Sequence, residues 1–244
     1  MDVSWLVRDS ILLYEGKAKK LFETDDPQII RVKYLDQATA LNGVRKDIVL
    51  GKALLNNQIT ALVFEQFKLK GIQSHFVEKI SKHEQLVERL EMIPLEVVVR
   101  NVSAGSFAKR LAISEGQTLE FPVLEFYYKD DTLDDPIIND DHVKILKIAT
   151  EQEITTIKHE AYKINQTLIE LFKKIDIRLI DFKIEFGRRK DGTILLADEI
   201  TPDTCRLWDE KTNDHLDKDV YRRNIGDIVP VYQEVLDRLE QRFN

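Results

Sequence analysis

Between Leu179 and Glu199 the chain reads LIDFKIEFGRRKDGTILLADE, two runs of alternating apolar and polar positions around Asp191-Gly192. Successive strand side chains point to opposite sides, so Ile180, Phe182, Ile184 and Phe186 share one face and Asp181, Lys183 and Glu185 the other. An Asp-Gly pair between such runs is a strong hairpin signal. With Asp191 and Gly192 at the two central turn positions, counting outward pairs Lys190 with Thr193, Gly187 with Leu196 and Glu185 with Asp198. Directly opposed side chains lie roughly 4.5–5.5 Å apart at Cβ, where two carboxylates repel. A divalent cation bound through oxygens, with phosphates completing its shell, resolves that conflict. A solvated hairpin face, or a bulge that slips the register, resolves it without a metal.

Elsewhere the pattern predicts short strands at Ile11 to Glu15, Lys20 to Thr24 and Ile29 to Leu35, separated by GKAK and DDPQ turns. A helix is expected from Asp47 to Lys70, with Asp47 as N-cap and Gly71 as the stop. Strands at His75 to Ile80 and Gln85 to Met92 lead to Pro94, and the β-branched run LEVVVRN (95–101) reads as a buried strand. A short helix is expected to start near Ser106. Thr150 and Glu153 form a capping box. The helix they open carries Ile154, Ile157, Ala161, Ile164, Leu168, Leu171 and Ile175 at helical period. A polar, Asp-rich stretch (209–219) precedes a last helix with Val231, Val235, Leu236 and Leu239 as its buried face. The fold class expected is α+β, with a strand-rich N-terminal lobe (1–92) and a mixed α/β C-terminal lobe (93–244).

A length of 244 residues suits one large domain or two small lobes sharing a cleft. Net charge is −7, which argues against a general nucleic-acid binder, so basic clusters call for a local anion. The single cysteine, Cys205, rules out an intrachain disulfide and a Cys-rich zinc site. No apolar run approaches the roughly 20 residues that span a bilayer. The start, MDVSWLVRDS, has no apolar signal core, and a cytoplasmic protein is expected.

Three further segments carry candidate chemistry. In YEGKAKKLF (14–22), a glycine turn with Lys17 and Lys19 joins backbone N–H groups to ammonium charge, as a loop covering nucleotide phosphates does. The GxxxxGK[ST] spacing of the commonest phosphate loop is absent, and taken alone these residues favour an exposed hairpin tip carrying solvated lysines. In VVVRNVSAGSFAKR (97–110), a strand delivers Arg100 and a helix start offers Ser106 and free N–H groups, a set suited to a carboxylate or phosphate, while a Ser N-cap with a surface Arg reads equally from this segment alone. DEITPDTCRLWD (198–209) adds Asp203 and Arg206. Cys205 reads as packing rather than as a nucleophile. The Asp-rich run YYKDDTLDDPIIND (127–140) lacks EF-hand spacing and reads as a solvated loop. The five histidines show no metal-ligand spacing.

Together YEGKAKKLF, the stretch from Asn42 to Asn57, PLEVVVRNVSAGSFAKR, YYKDDTLDDPIIN, LIDFKIEFG, ADEITPDTCRLWD and LDKDVYRR resemble the SAICAR synthetase family of purine biosynthesis, in its compact bacterial form. They occur in the family's order from Leu13 to Arg223. Ser103 stands where the family often has alanine. The resemblance implies a SAICAR synthase-like fold of two lobes, related in layout to ATP-grasp enzymes, with an ATP cleft between them. It implies a ligase that joins L-aspartate to the carboxylate of CAIR (carboxyaminoimidazole ribonucleotide) at the cost of ATP, with Mg²⁺, and a homodimer. By matched position, Gly16, Lys17, Ala18 and Lys19 hold the ATP phosphates, and Met92 lies near adenine. Glu185 and Asp198 bind the metal, and Lys183 and Lys19 serve the phosphoryl transfer. Arg100, Ser106, Asp203 and Arg206 hold CAIR, and Lys218 and Arg222 face the aspartate. A small-alcohol kinase would share the hairpin and acidic pair, and the Arg100/Ser106/Arg206 set separates the ligase from it. A nucleotide-binding module without turnover is the reading from another class.

Overall fold

The computed structural model describes residues 11–40 and 45–243, so the MDVSWLVRDS start and Asn42 lie outside the described residues. In chain order the elements are β1 (Leu12–Glu15), β2 (Lys19–Glu23), β3 (Ile29–Tyr34), β4 (Gln37–Ala40), β5 (Arg45–Ile48), α1 (Lys52–Leu69), β6 (Phe76–Lys79) and β7 (Glu84–Glu88). There follow β8 (Glu91–Met92), β9 (Leu95–Val102), α2 (Gly105–Leu111), β10 (Thr118–Tyr128), β11 (Ile137–Ile138), α3 (Asp140–Ile145) and α4 (Glu151–Lys173). The last are β12 (Ile177–Arg188), β13 (Ile194–Ala197), β14 (Cys205–Asp209), α5 (Asp219–Arg222) and α6 (Ile228–Phe243).

The chain divides into two compact units, Met1–Leu90 with Lys218–Asn244, and Glu91–Asp217. The division expected between 92 and 93 assigned the C-terminal helix to the second part. In the structure α6 buries Tyr232, Val235, Leu236 and Leu239 and packs on α1. That stripe needs an apolar partner, and α1 supplies one, being buried nearly all round its circumference.

In the first unit the sheet order is β1-β2-β3-β7-β6, all antiparallel, with β4 and β5 as a separate hairpin. The helix expected from Asp47 begins instead at Lys52. Asp47 lies in β5, paired with Ala38, and its carboxylate accepts from Tyr221 Oη at 2.5 Å. The N-cap of α1 is Gly51 at φ 93°, which has no side chain to cap with. Asp36, from the turn after β3, accepts the Ala53 N–H at 2.8 Å and does that work from a distance in sequence. At the other end Gly71 takes φ 68°, and the Ile72 N–H returns to the Phe67 carbonyl at 3.0 Å, an αL helix stop.

In the second unit the path is β11-β10-β9-β12-β13, and β14 and β8 also pair with β12. The twelve-residue β12 is the spine: Asp181 is opposite Arg100 of β9 and also opposite Arg206 of β14, so those strands flank it on either side. Helix α4 packs on β12, β9 and β13. Its stripe from Ile154 to Ile175 is buried as the periodicity predicts, at about 1.5–3 kcal/mol for each large aliphatic side chain. The capping box closes from both sides: Thr150 Oγ1 accepts the Glu153 N–H at 3.2 Å, and Glu153 accepts the Thr150 N–H at 2.7 Å.

The hairpin register differs from the one counted from the sequence. Glu185 pairs with Ala197 and Gly187 with Leu195. The loop holds Lys190, Asp191 and Gly192, with Gly192 at φ 86° and its N–H bonded to the Arg189 carbonyl at 3.0 Å. This is a three-residue loop with glycine at the left-handed position, and the extra residue shifts every pair by one. The strand expected from Gln85 to Met92 is likewise broken, into β7 and β8. Among the described residues, no helix is long and apolar enough to cross a membrane.

Candidate active site

Register alone places a row of charged residues on one face of the second unit's sheet. Glu96 and Arg100 alternate on β9, Glu125 and Tyr127 on β10, and Asp181, Lys183 and Glu185 on β12, while Arg206 of β14 lies opposite Asp181. Their apolar alternates, Val97, Val99, Ile180, Phe182, Ile184 and Phe186, are buried. The charged face is therefore the side of the sheet that the hydrophobic core does not need.

At one end of this face two arginines share one carboxylate. Arg100 Nη1 donates to Asp181 Oδ2 at 2.7 Å, and Arg206 Nη1 donates to the same oxygen at 2.8 Å. Arg100 is almost fully enclosed (3% exposed), and its Nε donates to Glu125 at 2.8 Å and its Nη2 to Tyr127 Oη at 3.2 Å. Arg110 pairs with the second oxygen of Glu125, and Phe107 lies under both Arg100 and Arg110. Burial works against the Arg100 charge, but Asp181 and Glu125 outweigh it and raise its pKa. Gly105 opens α2 at φ 53°, and a Cβ there would collide with the Arg206 guanidinium. Only glycine permits both the backbone conformation and the close approach.

At the other end lie the metal candidates. Glu185 is 7% exposed, and its pKa is raised, first by burial and then by the charge of Asp198, against the pull of Lys129 and Lys183. Asp198 leaves the strand at φ 62°, a left-handed conformation that aspartate adopts more readily than most residues. That departure keeps Asp198 within electrostatic reach of Glu185 although Ala197 holds the opposed position. Lys183 Nζ donates to Glu96 at 2.7 Å. Burial disfavours its ammonium, yet Glu96, Glu185 and Asp198 together hold its pKa above the ordinary lysine value. Lys129 Nζ donates to Glu185 Oε1 at 2.5 Å. Hard oxygen donors, mutually repelling and compensated by ammonium groups, fit a magnesium-type cation. Glu96, Glu125 and Lys129 had escaped the sequence reading, which placed Asp181 on the polar face of its strand but gave it no role. Glu96 and Glu125 are brought in by strand register, and Lys129 sits in the Asp-rich run read as a solvated loop.

The remaining candidates are scattered among elements. Ser106 is exposed in the first turn of α2. Asp203 is half-buried, with its N–H on Thr201 Oγ1 at 3.1 Å. Met92 is 44% exposed in β8, opposite Gly187. Cys205 is buried and its thiol is pushed up, chiefly by burial, as suits inert packing. In the first unit, Gly16 N–H donates to the Lys19 carbonyl at 2.8 Å, forming the tight turn around Lys17 and Ala18. Lys19 Nζ lies 5.2 Å from the centre of the Tyr34 ring. Lys218 precedes α5, and Arg222 donates to Asp219 at 2.7 Å.

Comparison with known proteins gives one consistent result. The SAICAR synthetase family model matches residues 12–239. The phosphoribosylaminoimidazole-succinocarboxamide synthase of Enterococcus faecalis is 63% identical over 228 residues, 93% of this chain and 96% of that protein. The crystal structure of the synthase of the same name from Ehrlichia chaffeensis superposes with a TM-score of 0.92 at 43% identity, covering 94% of this chain and 98% of that one. A SAICAR synthetase in complex with ADP superposes at 0.91 with 46% identity, covering 95% and 98%.

Proposed function

We propose, for a chain that belongs to the SAICAR synthetase family and is an ATP-dependent ligase of purine biosynthesis, that it joins L-aspartate to the carboxylate of CAIR through an acyl phosphate. A carboxylate resists attack by an amine because neither oxygen is a good leaving group. Transfer of the γ-phosphoryl group to one carboxylate oxygen releases ADP and makes that oxygen part of a phosphate. The aspartate amine then forms the C–N bond, the C–O bond to phosphate breaks, and the amine gives up a proton. The product is the succinocarboxamide SAICAR.

The observation that carries this reading is Lys183, held among Glu96, Glu185 and Asp198 on the charged face of the sheet. Its permanent positive charge suits a phosphoryl group whose charge spreads over several oxygens during transfer. Glu185 and Asp198 would hold Mg²⁺, which when bound supplies the charge that offsets the phosphates. Gly16, Lys17, Ala18 and Lys19 are assigned to the ATP phosphates, Lys19 sharing the catalytic role, and Met92 to the adenine. Arg206, Ser106 and Asp203 are assigned to CAIR. Arg100 belongs to the same set, and its bonds to Asp181 support it as the group that fixes Asp181 beneath Arg206. Lys218 and Arg222 are assigned to the aspartate. The ATP-grasp-like layout and the homodimer are part of the same proposal.

The test of the acyl phosphate uses CAIR labelled with ¹⁸O in its carboxylate. One labelled oxygen per turnover is expected in the released phosphate. Phosphate free of label contradicts the proposed route.

A further inference from the structure

Lys129 forms a direct ion pair with Glu185, its Nζ donating to Oε1 at 2.5 Å. It follows β10 immediately, with its N–H anchored on the Pro94 carbonyl at 3.1 Å. The anchored backbone fixes where the side chain starts, while the side chain itself is 38% exposed against 10% for Glu185. Lys183, the other ammonium nearby, is already engaged by Glu96 at 2.7 Å. The ammonium of Lys129 therefore rests on an oxygen that a divalent ion would need. An ion at about 2.0–2.1 Å from that carboxylate and an ammonium on the same group repel one another. A lysine head on a flexible four-carbon stem with access to water can leave, whereas Glu185 and Asp198 cannot.

We propose that Lys129 is a placeholder cation: its ammonium neutralises the Glu185/Asp198 pair in the metal-free protein and must come off Glu185 for the divalent ion to bind. This rests on the reading of Glu185 and Asp198 as metal ligands. It gives the enzyme a metal site that is compensated before the ion arrives, instead of a buried and a half-buried carboxylate left to repel. The site then releases its metal more readily than the bare carboxylate pair would, and Lys129 sets that affinity.

The test is Mn²⁺ binding to the nucleotide-free protein, followed by loss of the free-ion electron paramagnetic resonance signal at pH 8, where a proton does not replace the lysine. Lys129→Met and Lys129→Gln are each expected to bind Mn²⁺ about tenfold more tightly than wild type, the scale of one ionic contact in a partly wet site. Lys129→Arg keeps the charge and is expected to stay within about twofold of wild type, and Glu185→Gln to lose the site. Added Mn²⁺ is expected to raise the melting temperature of the two neutral variants more than that of wild type. Binding abolished by Glu185→Gln but unchanged or weakened in both neutral variants overturns the placeholder alone. Binding that Glu185→Gln leaves intact overturns the metal reading, and the placeholder with it.

Discussion

Glu185 and Asp198 act on each other's charge although the residue opposite Glu185 across the strand pair is Ala197. In a regular strand a slip of one residue would send Asp198 to the other face of the sheet. Asp198 lies just past the end of β13 with φ 62°, and its charge still reaches Glu185. Asp198→Asn keeps size and shape and removes the charge. Turnover is expected to fall by about 100-fold or more while the melting curve stays close to wild type, since the lost group repels its neighbour in the metal-free fold. Steady-state rates at saturating Mg²⁺, beside a thermal melt, check it. Rates near wild type would remove Asp198 from the site.

Asp181 is the carboxylate on which Arg100 and Arg206 converge. Asp181→Asn leaves two guanidinium groups facing a neutral amide in a nearly closed setting. Removing one partner of a buried ion pair costs about 3–5 kcal/mol. The expected result is a fall in melting temperature of about 6–20 °C for a chain of this size, measured by calorimetry. A neutral result would mean that Glu125 alone holds Arg100.

Gly105 permits the approach of Arg206 to the start of α2. Gly105→Ala places a methyl group against the guanidinium and a side chain at positive φ, which costs about 1 kcal/mol in backbone conformation alone. The larger effect is expected on CAIR: its KM should rise about tenfold, with the KM for ATP little changed. Equal rises for both substrates would show a general loss of structure instead.

Arg188 donates to Glu153, and that bond, helped by the bonds to Thr150 and working against burial, sets the Glu153 pKa down to about 2 from 4.5. The sign follows from the depressed value: the folded state favours the charged form, so the contribution is present above pH 4.5. It is lost as pH falls towards 2. Glu153→Gln keeps a capping-box partner and loses the charge. About 1 kcal/mol less stability than wild type is expected at pH 7, discounted for partial exposure. The gap should close between pH 4.5 and 2, as urea unfolding at a series of pH values would read. A gap that persists at pH 2 would assign the effect to packing.

What the sequence made legible was chiefly local. Thr150 and Glu153 are three residues apart, and their capping box depends on little else. The alternation of β12 likewise identified the face bearing Lys183 and Glu185. Asp47 was misread because the helix N-terminus is served by Asp36, which the fold brings to Ala53 from seventeen positions away. The hairpin register failed because Asp-Gly suits both a two-residue loop and a three-residue loop with glycine last. The sequence singled out Arg100 as a candidate anion clamp, and in the structure its guanidinium binds the chain's own Asp181 and Glu125. Which carboxylates it grips, 25 and 81 residues further on, depends on strand order that no local pattern encodes.

The ligase reading is tested most directly by ADP release from ATP and Mg²⁺ in the presence of CAIR and L-aspartate, with each component omitted in turn. The account predicts sustained ADP release only in the complete mixture, with one succinocarboxamide formed per ADP. ADP release that proceeds at full rate without L-aspartate, or a complete mixture that forms no amide, would contradict it.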